Sequence, residues 1–317
     1  MARYVTVSAI GFRPPVVEAA ASLGDAVEEM THHLLGRVEQ VLPDRPDLIV
    51  LPEVCDLPAN YSATDPRTLH DYLDVRGDCV QQALAQVARS QHCYITYPAL
   101  RRLPDGSWRN SITLLDRNGD VACVYDKYHP TIWENEAGIL SGAKPVVATC
   151  DFGRVGLLIC FDLNFEPLRR HYAHASVDLL VFCSQYHGGL MQAYWAYACR
   201  AHFVGAIAST GGYVLSPLGE RVAASTNYFD YTSARINLDC RLAHLDYNEE
   251  RLTALRTKYG PRVRVSDPGF LGSVLICSED SQVGVDAMLG ESGIEPLDHY
   301  FERSLDCQDR HRPAANL

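Results

Sequence analysis

Gly153-Arg-Val-Gly-Leu-Leu-Ile-Cys160-Phe-Asp162-Leu-Asn164-Phe165 is the stretch on which the fold turns. An apolar run, Val155 to Ile159, delivers a single cysteine to its C-terminal end, and polarity changes abruptly at Asp162 and Asn164. Glu166-Pro167 follows, and Leu168-Arg169-Arg170 opens a helix-like segment. The pattern predicts a buried strand, a tight turn and a helix. A cysteine at that junction can aim its thiol into a cleft, with the turn's N–H groups facing a developing oxyanion. A buried structural cysteine is the plain alternative.

Outward from this stretch the chain alternates between strand and helix patterns. Tyr4 to Ile10 reads as a strand and Asp25 to Val41 as a helix, with Val27, Met30, Leu34, Leu35 and Val38 on one face. Asp47 to Leu51 is a short buried strand ending at Pro52-Glu53, and a polar loop follows from Asp56 to about Leu69. Cys79 to Ser90 reads as a helix and Cys93 to Tyr97 as a strand. Asn118-Gly119 between two strand patterns, Asn110 to Leu115 and Val121 to Tyr125, signals a hairpin. Beyond the cysteine, Val177 to Cys183 is another buried strand, and Gly188-Gly189 opens a helix expected over Leu190 to Phe203. Strands follow at Val204 to Ser209, Gly212 to Leu215, Arg221 to Ser225 and Thr232 to Leu238, then a helix from Asp246 to Tyr259. Together they predict a layered α/β fold with a mixed sheet system. The expected organisation is a single domain over 1–259, then an extension over 260–317 with one strand, Gly272 to Cys277, and a short helix near Val283 to Leu289.

Composition narrows the function classes. A net charge of −11 argues against a nucleic-acid partner. No apolar run approaches the roughly 20 residues of a membrane helix, and the start at Met1-Ala2-Arg3-Tyr4 shows no signal peptide. The 11 cysteines include no CxxC pair, so neither a zinc site nor a disulfide framework is expected. Reduced thiols in the cytoplasm are the simplest account.

Three reactive groups end buried strands: Glu53, Lys127 and Cys160. Strand C-termini fall along one edge of an α/β sheet, where ligands bind. Glu53 could take the thiol proton and later activate water. Cys160 could attack a carbonyl or nitrile carbon. Lys127 could stabilise the tetrahedral oxygen with the Phe161 N–H as a second donor, and its charge would favour thiolate. A structural Glu53–Lys127 ion pair is the plain alternative.

Leu51-Pro52-Glu53, Tyr125-Asp126-Lys127 and Gly156-Leu-Leu-Ile-Cys160-Phe-Asp162 resemble the three signature blocks of the nitrilase superfamily of carbon–nitrogen hydrolases, with order and spacing intact from about Arg3 to about Asn237. The resemblance implies a four-layer αββα sandwich, a Glu53–Lys127–Cys160 triad, no metal and no organic cofactor. It also implies a further glutamate in the loop after the lysine. Lys-x-x-Pro-Thr-x-x-Glu selects Glu134, and Glu136 is the alternative. Cys160-Phe161-Asp162 departs from the Cys-Trp-Glu of nitrilases proper and is closer to the amidase branches. Arg200-Ala201 matches a family segment, although His202-Phe203 follows where Asn or Gln is common.

The expected activity is that of an amidase acting on a small linear amide or N-carbamoyl compound through a thioester on Cys160. A nitrilase making acid and ammonia, and a non-catalytic binding or scaffold protein of the same fold, are the alternatives. Phe161, Trp133, Tyr186 and His187 are candidates for the substrate pocket. The resemblance implies a homodimer or higher homo-oligomer, paired through the helix after the cysteine strand and the Leu190 to Phe203 helix. Leu190, Met191, Trp195 and Phe203 give that second helix an apolar face, and the tail with Tyr300-Phe301 is expected to cover a partner or its own subunit.

Overall fold

In the computed structural model, residues 1–18, 22–61 and 66–313 are described. They form two compact units, one of residues 5–236 and one of residues 1–4 with the chain from 237 onward. The second unit thus takes in residues 237–259, which the sequence reading grouped with the main domain.

The first unit begins with β1 (Tyr4–Ile10), α1 (Leu23–Glu39), β2 (Leu48–Val50), α2 (Pro66–Arg76), α3 (Cys79–Gln91), β3 (Tyr94–Arg102), β4 (Trp108–Leu115) and β5 (Val121–Asp126). Helix α1 starts where Ser22 and Asp25 close a capping box, each side chain accepting from the other's backbone N–H at 3.1 Å. Its buried residues Ala26, Val27, Met30, Leu34 and Val38 keep the helical period. Part of the loop expected after Asp56 lies outside the described residues, and its last positions begin α2 instead. The hairpin at Asn118-Gly119 forms, with Gly119 at φ 78° and its N–H donating to the Asp116 carbonyl at 2.9 Å.

After α4 (Ile132–Glu136) come β6 (Val147–Cys150), β7 (Gly153–Ile159), a tight 3₁₀ turn (Cys160–Asn164), α5 (Glu166–His174), β8 (Leu179–Ser184), α6 (Leu190–Cys199), β9 (His202–Ile207), β10 (Gly211–Leu215), β11 (Arg221–Ala224) and β12 (Tyr231–Asn237). The apolar run of β7 pairs in parallel with β8, Val155 opposite Leu179 and Ile159 opposite Cys183, and is buried throughout.

Two six-stranded sheets result, ordered β12-β1-β2-β3-β4-β5 and β11-β10-β9-β8-β7-β6. They meet face to face, β2 on β8 and β9, and β4 on β7. The backbones approach closely at Gly11, where a Cβ would lie 2.4 Å from Gly211 Cα and 2.4 Å from the Ile207 carbonyl oxygen. Leu34 and Val38 of α1 and Val80, Leu84 and Ala88 of α3 cover the outer face of the first sheet. Leu168 and Tyr172 of α5 and Trp195 and Ala196 of α6 cover the second. This is the expected four-layer αββα sandwich. Each fully buried large apolar side chain contributes roughly 1.5–3 kcal/mol.

Helix α6 is shorter than the sequence pattern predicts. It ends at Cys199, Arg200 takes a left-handed φ of 56°, and His202 and Phe203 are the first residues of β9. Burial in the sheet outweighs the helical spacing there. Trp195 and Phe203 both face the core, so of the four residues assigned to an outward apolar face only Leu190 is strongly exposed and Met191 partly so.

The second unit holds β13 (Cys240–His244), α7 (Glu249–Tyr259), β14 (Val263–Ser266), β15 (Ser273–Ser278), α8 (Val285–Ser292) and α9 (Leu297–His311). Its strands form an antiparallel sheet, β13-β15-β14, over a core that includes Leu255, Val274, Ile276, Val285 and Met288. The sequence predicts one strand and one helix after Gly260, whereas two strands and two α-helices are present among the described residues. Tyr300 stacks on His244 with ring centroids 4.4 Å apart.

Candidate active site

Glu53, Lys127 and Cys160 each stand just past the end of a strand, β2, β5 and β7 respectively. All three line one cavity of about 310 Å³. The Lys127 ammonium is buried and lies 2.8 Å from Glu53 Oε1. It also donates to Glu134 at 3.0 Å from Oε1 and 2.8 Å from Oε2. Burial by itself would depress this ammonium, but Glu53, Glu134 and Cys160 outweigh it and hold the group above its usual range.

Glu134 is placed by a local device. It is the third residue of α4, and it closes a capping box with Thr131: Thr131 N donates to Glu134 Oε2 at 2.7 Å, and Glu134 N donates to Thr131 Oγ1 at 3.1 Å. Burial pushes its carboxyl up, yet Lys127 and hydrogen bonds from Asn110 and Thr131 hold it below the usual glutamate value. Glu136, the other candidate in this loop, points to solvent.

Asn110 was not singled out from the sequence. Its Nδ2 donates to Glu53 Oε1 at 2.8 Å and to Glu134 Oε1 at 2.9 Å, and so ties both carboxylates together. An asparagine within a strand pattern was the available signal, since Asn is disfavoured there. Gln185, just past β8, was also missed. Its backbone N–H donates to Glu53 Oε2 at 3.0 Å, and its side-chain amide to the Glu53 carbonyl.

Two residues here have left-handed backbones that their side chains disfavour. Val54, next to Glu53, has φ 45°, and Cys160 has φ 47°. Asp162, completely buried, holds the Cys160 turn. It accepts from Ile159 N at 2.9 Å, Tyr125 Oη at 2.7 Å and His129 N at 2.8 Å. The sequence marks Asp162 as the polarity change after the cysteine strand and as the end of a signature block, without this anchoring role.

The Cys160 thiol is pushed up to about 12, first by burial and then by Glu53, while Lys127, Ser184 and the Gln185 backbone pull it back. The expected pull of Lys127 toward thiolate has the right sign and is outweighed. At neutral pH these influences favour the protonated thiol.

The cavity is also lined by Val54, Leu57, Tyr61, Leu69, Leu100, Ile139 and Trp133. Trp133 is thus at the site as expected, and half exposed. Phe161, Tyr186 and His187 do not line the cavity. Phe161 packs edge-on against Phe165, Tyr186 accepts from Asn164 Nδ2 at 3.2 Å, and His187 accepts from Gly189 N at 3.1 Å. Among the described residues no group of three His, Cys, Asp or Glu side chains is disposed to hold a metal ion, and no helix is long and apolar enough to cross a membrane.

Residues 23–238 match the family model described as carbon–nitrogen hydrolase. The chain is similar to the deaminated glutathione amidase of Dictyostelium discoideum, 23% identical over 50% of this chain and 59% of that protein. It is similar as well to the chloroplastic omega-amidase of Arabidopsis thaliana, 22% identical over 53% of this chain and 48% of that protein. It therefore spans about half the length of these curated relatives. A carbon–nitrogen hydrolase of Helicobacter pylori G27 has the same fold, with TM-score 0.61 and 16% identity over 81% of this chain and 93% of that one. So does yeast Nit3, described as a member of branch 10 of the nitrilase superfamily, with TM-score 0.60 and 15% identity over 82% of this chain and 95% of that one.

Proposed function

Because the chain belongs to the carbon–nitrogen hydrolase family of the nitrilase superfamily, we propose that it is a thiol-dependent amidase that splits small linear amides into an acid and ammonia. The observation that carries this reading is the buried Lys127 ammonium, 2.8 Å from Glu53 and 2.8 Å from Glu134, in a cavity that Cys160 also lines. A structural ion pair alone does not account for a thiol opening onto the same cavity.

The chemistry follows from those positions. Glu53 removes the Cys160 proton as sulfur attacks the amide carbon, which the raised thiol requires. Lys127 and the Phe161 N–H stabilise the tetrahedral oxyanion. Glu53 returns the proton to the departing nitrogen, ammonia leaves and a thioester remains on Cys160. Glu53 then deprotonates a water that attacks the thioester. The acid departs and the thiol is restored, so one amide and one water become one acid and one ammonia. Glu134 keeps Lys127 protonated and aimed. N-carbamoyl compounds fit the same steps, and nitrile hydrolysis is the alternative; Asp162 after Cys160-Phe161 favours the amide. The relatives named amidase support the reaction class.

The same reading includes a homo-oligomer formed through α5 and α6, where Leu190 and Tyr194 are exposed at 82% and 42%, and a cytoplasmic location, which suits 11 cysteines without a disulfide. Ammonia release from a panel of amides, carbamoyl compounds and nitriles tests the function, with Cys160→Ser as the control. Turnover by that variant, or release from nitriles alone, would reject the amidase reading.

A further inference from the structure

On the amidase reading, the polar groups hold the reacting amide, and the apolar part of the cavity wall is left for the part of the substrate that stays with the carbonyl. That wall is Val54, Leu57, Leu69, Leu100 and Ile139, with Tyr61 beside them and Trp133 also in the lining. Leu69, Leu100 and Ile139 are each no more than 6% exposed, so they offer apolar surface in fixed positions. The charged groups lining the cavity are Glu53, Glu134 and Lys127. Their formal sum is one negative charge, and the one ammonium among these described residues already donates to both carboxylates.

A substrate carboxylate at the far end of the acyl chain would meet aliphatic carbon and no cation among these residues. It would lose its water without gaining a cationic partner among these residues, and it would sit near an excess of negative charge. An uncharged chain releases water from both surfaces instead. A volume of about 310 Å³ holds about ten water-sized groups, enough for an amide of five or six carbons.

We propose that the substrate is an amide of an uncharged, apolar acyl group, and that the site discriminates against acyl chains ending in a carboxylate. The inference rests on the amidase reading for the direction in which the substrate lies, and it concerns binding rather than turnover.

The test compares hexanamide with the monoamide of glutaric acid, which places a carboxylate where hexanamide ends in ethyl. Titration calorimetry on full-length Cys160→Ala measures binding without reaction, and ammonia release by the unaltered chain measures turnover. Hexanamide is expected to bind at least 100-fold more tightly. Installing a cation in the wall, Leu100→Arg, should narrow that ratio at least tenfold in favour of the anionic amide. Equal or tighter binding of the glutaric monoamide to Cys160→Ala overturns the proposal, and so does failure of hexanamide to bind. Tight hexanamide binding with no ammonia released by the unaltered chain leaves the proposal standing and rejects the amidase reading.

Discussion

Asp162 Oδ1 accepts the His129 backbone N–H at 2.8 Å, which fastens the turn carrying Cys160 to the segment just after Lys127. The same carboxylate's Oδ2 holds Ile159 N at 2.9 Å, one residue before the cysteine. The thiol and the ammonium therefore share one buried anchor, and the left-handed Cys160 backbone is held against its own preference. Replacing Asp162 with alanine should leave these donors buried and unpaired, at about 1–3 kcal/mol each. A lowered melting temperature together with a fall in kcat is expected. Unchanged kcat at an unchanged melting temperature would remove Asp162 from this role.

Glu53 and Lys127 can be tested separately. Glu53→Gln and Lys127→Ala should each lower kcat by on the order of 10²–10⁴ in a folded protein, as loss of a base or of charge stabilisation does. Circular dichroism and steady-state kinetics on both variants decide it. A variant with near-normal kcat takes its residue out of the mechanism.

Iodoacetamide probes the thiol. Burial and Glu53 push Cys160 up to about 12, so its alkylation near neutral pH depends on Glu53 acting as base. Brief treatment should label Cys160 ahead of the other cysteines, and Glu53→Gln should erase that lead. Peptide mass spectrometry reads both results, and equal labelling of several cysteines in the unaltered chain counts against the assignment.

Glu134 gives a pH signature. Its carboxyl is held below the ordinary glutamate value of 4.5, so the native state favours the ionised form. That stability is present above about pH 4.5 and is lost as pH falls through the lower native value. Glu134→Gln removes one partner of a buried pair and should cost roughly 3 kcal/mol at pH 7. The gap between the two proteins should close as the pH drops below 4. Urea midpoints at pH 7 and at pH 3 or below measure it, and a constant gap would contradict the assignment.

Sedimentation tests the assembly. A mass near twice the monomer is expected for the full chain, and Leu190→Glu, on the exposed side of α6, should shift it to monomer. A clean monomer at micromolar concentration rejects pairing. A dimer that survives both Leu190→Glu and truncation at Gly260 would place the interface elsewhere.

Much of this was written locally in the chain. A parallel strand buried on both faces must be a short apolar run closed by a turn, so Leu48 to Leu51 and Val155 to Ile159 were legible, and with them the strand ends carrying Glu53 and Cys160. Lys127 stood at the end of a hairpin strand signalled by Asn118-Gly119. Lys-x-x-Pro-Thr-x-x-Glu encodes the capping box that turns Glu134 inward, and both halves of that box lie within four residues.

Tertiary structure decided what depends on contacts between distant segments. Asn110 reaches Glu53 across 57 positions and Gln185 does so across 132, and no local pattern records either approach. His187 and Tyr186 lie close to Gln185 in sequence but are not among the residues lining the cavity, and their side chains bond to Gly189 N and Asn164 Nδ2 instead. Helical spacing continued past Cys199, yet Phe203 belongs to β9, where packing between layers outweighs intrinsic propensity. The apolar wall is assembled from Leu57, Leu69, Leu100 and Ile139, residues spread over four segments. Periodicity reports which face of an element is buried, while the partner that buries it is fixed only when the layers close.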